Sequence, residues 1–396
     1  MITFWGLGAE GEKVRAMIPE FERLHPEITV RVQQIPWTAA HEKLLTSYAG
    51  NSSPDICQLG NTWVPEFALL EALEDLSPWV ESSTVVRREH YFPGILATNV
   101  IDSALYGIPW YVDTRVLFYR KDLLARVGYP DGPRTWSELH DASKKLVESR
   151  LTHTGIFMPV TEWAPPVIFG MQKGSTLLKN DNTEGDFSGR AFTEAFRFYI
   201  GLFDEKLGLA TATEVSNIYQ SFMEGYFAMY ITGPWNIGEF QSRIPQSRQA
   251  IWMTAPLPSP DTTYPGASLA GGASIVMFRS SKHKEAAWKF IEYLSRQKTQ
   301  LEFYHVTGNL PAVREAWTDS SLAQNVYTQA FFRQFSRVVP APKVPEWEQI
   351  AMKMQDYAES AAKHAMTIDQ ALGAFDRDVN KILEKRRWMI ERKKGS

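Results

Sequence analysis

The chain has 396 residues, 44% of them hydrophobic and 22% charged, and a formal net charge of −3. That length exceeds one core of ordinary size, so two domains are expected, and the apolar-to-charged balance is that of a globular protein. No stretch reaches the length of a membrane span and the charge leaves no footprint for nucleic acid, so neither membrane insertion nor a nucleic-acid partner is expected.

Residues 2–5 read as a strand. The chain thus opens directly in structure, as a mature protein does once an export signal is gone. Val14, Met17, Ile18, Phe21 and Leu24 fall at helical spacing within 10–24, and His25-Pro26 closes that helix. Residues 28–32 alternate as a strand, 38–49 read as helix and 55–59 as strand. This β-α-β-α-β order argues an α/β fold with a parallel sheet and helices on its faces. Cys57, the single cysteine, lies in the last of these strands and reads as an inert core thiol.

Near Ile108-Pro109-Trp110-Tyr111-Val112-Asp113-Thr114-Arg115 the pattern changes, which marks a crossing between domains, and 116–119 then reads as a strand. Thr135-Trp136-Ser137-Glu138 is a capping box that opens a helix to about 148. Further strands are expected at 156–158, 227–231 and 251–254, with helices near 190–206 and 217–224. The Pro-rich 256–260 precedes Gly271-Gly272 and the apolar run 274–278, a return crossing to the first domain. Residues 282–307 and 347–385 read as long helices, and the terminal basic run around Arg386 as a solvated helix end.

The stretch from Ala228 to Trp235 carries the most information. A buried strand stops at Gly233-Pro234, and Trp235 opens a helix, which sets an indole at the strand-end rim where α/β folds bind ligands. An indole there suits the C–H face of a sugar ring, and 13 Trp and 15 Tyr exceed what a core needs. Sugar recognition also needs planar polar groups for vicinal hydroxyls. Asp113 and Arg115 supply an acceptor and a forked donor two residues apart, unless they form a hinge salt bridge. Of Trp110 and Tyr111, at least one is expected to face the ligand and the other to pack on a domain. Asn61 and Trp63 follow a strand end; the first bonds hydroxyls or caps a helix, and the second stacks or anchors. Glu10 follows the first strand beside Gly6 and Gly8 and is either a sugar acceptor or a first-turn carboxylate. Gly271 and Gly272 offer backbone groups to a sugar, a hinge, or both.

Several of these pieces together resemble the extracellular solute-binding proteins of carbohydrate ABC importers, the maltodextrin-binding type. They are Pro19-Glu20-Phe21-Glu22 with His25-Pro26, Ser53-Pro54-Asp55-Ile56, Tyr106-Gly107-Ile108-Pro109, the run from Val116 to Leu123, Thr135-Trp136-Ser137-Glu138-Leu139, Gly233-Pro234-Trp235 and Thr307-Gly308-Asn309-Leu310-Pro311. The resemblance implies a two-lobe periplasmic-binding-protein fold, each lobe a mostly parallel sheet flanked by helices, with a ligand cleft between the lobes. It places the N-lobe at 1–111 plus 268–316 and the C-lobe at 112–267 plus 317–396, with crossings near 109–115, 262–271 and 311–320. It implies capture without chemistry, no cofactor or metal, and lobe closure read by the permease subunits of the importer. A monomer and a periplasmic or extracellular location are expected. The Trp235 position in such proteins stacks on sugar, and Asp113 is similar to an acidic residue that accepts from sugar hydroxyls near the hinge. Trp163 lies where the family often places another aromatic. Trp347 sits in a segment that resembles that of trehalose- and maltose-binding relatives, although Ala341 stands where they carry arginine.

A neutral di- or oligosaccharide, with an α-glucoside such as maltose or trehalose foremost, is therefore the expected ligand. A glycerol-phosphate-type polyol is the alternative and would call for more basic residues at the site. An enzyme is not expected: carboxylates abound and Asp55 with Asp113 can be imagined as a glycosidase pair, but Asp55 reads better as a strand-entry residue, nothing places the two at catalytic separation, and H-E-x-x-H, G-x-S-x-G and P-loop motifs are absent.

Overall fold

The computed structural model describes residues 1–210, 215 and 217–394. The chain divides into two compact units, Met1–Asp113 with Ala270–Asn325 and Thr114–Leu269 with Val326–Ser396. The first unit retains Trp317, whose indole donates to the Pro311 carbonyl at 3.0 Å, and the short helix Ser320–Ala323 that follows. Its last segment therefore runs beyond residue 316.

In chain order the strands of the two main sheets are β1 (Ile2–Leu7), β2 (Val30–Ile35), β3 (Ile56–Gly60), β4 (Ile108–Asp113), β5 (Val116–Arg120), β6 (Thr154–Phe157), β7 (Gly208–Leu209), β8 (Phe227–Thr232), β9 (Trp252–Ala255), β10 (Gly271–Met277) and β11 (Leu310–Pro311). The first unit holds a six-stranded sheet in the order β11-β4-β10-β3-β1-β2. Strand β1 pairs in parallel with β2 and β3, whereas β10, re-entering after the second crossing, runs antiparallel to β3 and β4. The second unit holds five strands in the order β7-β6-β8-β5-β9, parallel among β7, β6 and β8 and antiparallel at β5. Central strands such as β1 and β8 are apolar nearly throughout because helices cover both faces, while β2, at a sheet edge, alternates buried and exposed residues.

One core of the first unit gathers Leu7, Ile35, Leu44, Leu59, Phe67 and Phe278 under the helix Trp37–Ala49. Cys57 lies in it, fully buried, with its thiol donating to the Gln58 carbonyl at 2.9 Å. The core of the second unit joins Leu139, Ile156, Phe169, Phe196, Met229 and Phe375. Asp55 enters β3 by accepting from the Thr3 amide at 2.8 Å and the Ser281 hydroxyl at 2.6 Å, which fastens β1 to the segment after β10.

Three expected long helices are broken. Residues 10–24 form Gly8–Lys13, a 3-10 turn Val14–Met17 and Ile18–Leu24, because Pro19 cannot donate into a continuous helix. Residues 282–307 part at Ser295-Arg296 into Lys284–Leu294 and Gln297–Thr307. Residues 347–385 part into Trp347–Ala362 and Ile368–Ile382, the second opened by a capping box between Thr367 and Gln370.

Candidate functional site

Strand direction decides which residues meet. In the first unit β1, β2 and β3 run the same way, so Gly8, Trp37 and Asn61 all follow carboxyl ends on one sheet edge. The register Gly271↔Asp113 sets the end of β4 and the start of β10 on that edge, and Leu310↔Val112 adds Asn309. In the second unit Thr232↔Val116 places Trp235 and Arg115 at one edge, and Tyr230↔Phe157 brings the loop holding Glu162 and Trp163 to the same edge. Open α/β sheets bind ligands at such edges.

On the first unit two carboxylates flank one phenol. Tyr111 and Asp113 share a face of β4 by its two-residue period. The Tyr111 hydroxyl accepts from Gln58 Nε2 at 3.1 Å and hydrogen-bonds to Glu10, and Gln58 Oε1 accepts from the Leu7 amide at 2.7 Å. Burial first, then the charges of Glu10 and Asp113, hold the Tyr111 phenol well above its ordinary value. It is therefore a neutral hydroxyl in physiological solution. Glu10 sits in the first turn of Gly8–Lys13, and its Oε1 accepts from Asn309 Nδ2 at 3.1 Å.

Aromatic plates stand beside these groups. Trp63 meets Trp37 edge to face at 5.5 Å and His41 at 5.1 Å, and His41 Nε2 lies 2.5 Å from Glu66 Oε2. Trp37 was missed in the sequence, although Ile35-Pro36-Trp37 repeats the strand, Pro, Trp, helix order of Trp235. Its indole lies against Gly8, where a Cβ would stand 2.5 Å from Cδ1.

On the second unit Trp235 is 49% exposed, at the first position of the helix Trp235–Arg243. Arg115 Cζ lies 4.5 Å from its ring centroid. Glu162 also escaped the sequence reading. The Tyr230 hydroxyl donates to its Oε1 at 3.4 Å, and burial raises its carboxyl above the ordinary value against the opposing pull of Arg115 and Tyr230. Trp163 is half-buried and meets Trp347 edge to face at 5.8 Å.

Trp110 takes the packing alternative of the Trp110–Tyr111 pair, and three expectations need correction, those for Trp347, Asn61 and the Gly271-Gly272 pair. Trp110 is 2% exposed and stacks on Phe303 at 4.2 Å, because alternation points it to the face opposite Tyr111. Trp347 is 1% exposed and offers no face for stacking. Asn61 is neither a free amide nor a helix cap. Its Nδ2 donates to the Gly271 carbonyl at 3.1 Å, its Oδ1 accepts from the Ser274 hydroxyl at 2.9 Å and its amide N–H donates to the Gly272 carbonyl at 3.2 Å. Gly271 and Gly272 thus spend their carbonyls inside the fold. Gly272 has φ +113 and would drive a Cβ into the Tyr111 carbonyl, so close strand approach, not sugar contact, calls for glycine there.

Among the described residues no three or more His, Cys, Asp or Glu side chains gather to hold a metal ion, and no helix is long and apolar enough to cross a membrane. The arrangement offers carboxylates, amides and indoles, which can bind vicinal hydroxyls and cover C–H faces.

The pattern of the family described as bacterial extracellular solute-binding protein matches residues 5–301. Among solved structures, the sugar-binding protein MalE of Xanthomonas citri is 44% identical, with a TM-score of 0.95 over 98% of this chain and 99% of that one. The galactooligosaccharide-binding protein of Bacillus subtilis is 25% identical over 386 residues, 93% of this chain and 87% of its own. The maltodextrin-binding protein MdxE of the same organism is 25% identical over 262 residues, 63% of this chain and 60% of its own.

Proposed function

We propose that this chain, which belongs to the bacterial extracellular solute-binding proteins of the maltose-binding type that serve sugar ABC importers, captures a neutral di- or oligosaccharide. It is a binding protein and not an enzyme. The observation that carries the ligand class is Trp235, an indole left half-exposed at a sheet edge where ligands bind. Glu10 and Asp113 on the first unit provide carboxylate acceptors for hydroxyls, and the buried Tyr111 phenol, which donates to Glu10, holds that carboxylate in place. Carboxylates at both sheet edges, Glu162 included, repel a phosphate and disfavour the glycerol-phosphate alternative. An α-glucoside such as maltose or trehalose is the sugar we favour, supported by the maltodextrin-binding relative.

In this proposal both units contact one sugar, closure follows binding, and a monomer presents the closed form to permease subunits. Calorimetric titration with maltose, trehalose, maltotriose and glycerol 3-phosphate tests it. Saturable micromolar binding of one neutral sugar, recovered unaltered, together with a smaller radius of gyration in solution scattering, is expected. A response to the phosphate alone, or a sugar returned cleaved, overturns it.

A further inference from the structure

We infer that Arg115 acts on the sugar through Trp235 and not by touching it, as a positioning residue that holds the indole with one face covered and one face open. The inference rests on the proposal that Trp235 stacks on sugar. The guanidinium carbon stands 4.5 Å from the ring centroid, inside the range of a cation–π contact. A cation lying on a π-face occupies the surface a sugar ring would otherwise use. The sugar is left the opposite face.

Neither partner is placed by chance. The Arg115 amide donates to the Ser268 hydroxyl at 3.3 Å, and the same hydroxyl donates to the Arg115 carbonyl at 2.9 Å. One residue earlier, the Thr114 hydroxyl donates to the Leu269 carbonyl at 2.7 Å. The backbone that launches Arg115 is thereby laced to the neighbouring strand Ser268–Leu269. The Glu162 carboxylate draws the guanidinium toward the same sheet edge. The indole, for its part, is held close to Gly233, where any Cβ would overlap Cζ3, Cη2 and Cε3 of its six-membered ring. All these contacts lie within the second unit, so they order the plate before a sugar arrives. An indole this exposed otherwise samples several rotamers, and fixing one in advance removes that cost from binding. Lysine matches this poorly, because a planar guanidinium stacks where an ammonium does not.

The test combines 5-fluorotryptophan NMR of the sugar-free full chain with a double-mutant cycle titrated with maltose. Trp235→Phe assigns the Trp235 resonance. Arg115→Met is expected to shift and broaden that resonance, to weaken maltose binding about fivefold, and to change it less than about twofold in a Trp235→Ala background. Arg115→Lys should recover only part of the loss. A Trp235 resonance unmoved by Arg115→Met overturns the inference. Additive losses in the cycle also overturn it, since Arg115 would then contact sugar itself. Trp235→Ala binding maltose like the native chain overturns the underlying reading as well, and the fluorine spectrum then still shows separately whether the arginine holds the indole.

Discussion

Gly233 has no side chain because the six-membered ring of Trp235 occupies the space a Cβ would need. Its φ lies outside the left-handed region, so alanine is free to adopt the backbone there and only the clearance is lost. Gly233→Ala should therefore displace the indole and weaken sugar binding by about 1–2 kcal/mol, the scale of a lost aromatic contact, with little change in melting temperature. Parallel calorimetry and thermal melts check both halves.

Trp235→Ala should cost about 1–3 kcal/mol of sugar affinity and almost no stability, because the side chain is half exposed. Trp110→Ala should instead cost about 3–5 kcal/mol of stability, because it empties the space between Phe4 and Phe303. Urea titrations that gave the two variants equal stability would contradict the contrast.

Asp55 couples folding to acid. Burial alone would raise its carboxyl, but hydrogen bonds from Ser281 and Thr3 and the charge of His283 bring it below its ordinary value of 3.8. Its contribution is then present above that value and lost as pH falls through the lower folded one. Asp55→Asn should destabilise the chain by about 1–3 kcal/mol at pH 7, and the gap to native should close in strong acid. Denaturant melts between pH 2 and about 7 measure it.

Glu162 has the opposite sign. Burial lifts its carboxyl above the ordinary value of 4.5, and Arg115 and Tyr230 only partly offset that. The stability it contributes is full below 4.5 and is lost as pH rises through the raised folded value. Relative to native, Glu162→Gln should gain stability as pH climbs from 4 toward about 7, which melts across that range will show. A flat difference would mean that Arg115 and Tyr230 fully balance burial, and a falling one that they outweigh it.

Alternation and strand order made much of this fold legible from residues alone. The β-α-β-α-β opening and the buried Cys57 follow from local periodicity, and the Thr135 cap from its motif, although only half the expected box forms: Thr135 accepts from the Glu138 amide, while the Glu138 carboxylate accepts from the Arg134 amide. The helix breaks at Pro19 and Ser295 were harder, because apolar spacing continues across them. Among the candidate residues, Trp235 and Trp110 both follow proline, and only strand position separates them: one stands past a strand end, the other inside β4. Asn61 was misread because its partners, Gly271 and Ser274, lie more than 200 residues away, and their pairing with β3 is a tertiary fact. Glu162 lacked a signal, since its neighbours come from distant parts of the chain, Tyr230 from β8 and Arg115 from the link between β4 and β5.

The sealed state of Cys57 has a practical consequence. Its thiol is fully buried, and burial pushes it far above the ordinary thiol range, so almost no reactive thiolate forms in neutral buffer. A maleimide dye should ignore the native chain. A single cysteine introduced on an exposed helix such as Lys298 would then carry the only label, and the protein could serve as a one-dye optical reporter for its sugar without any change to the core.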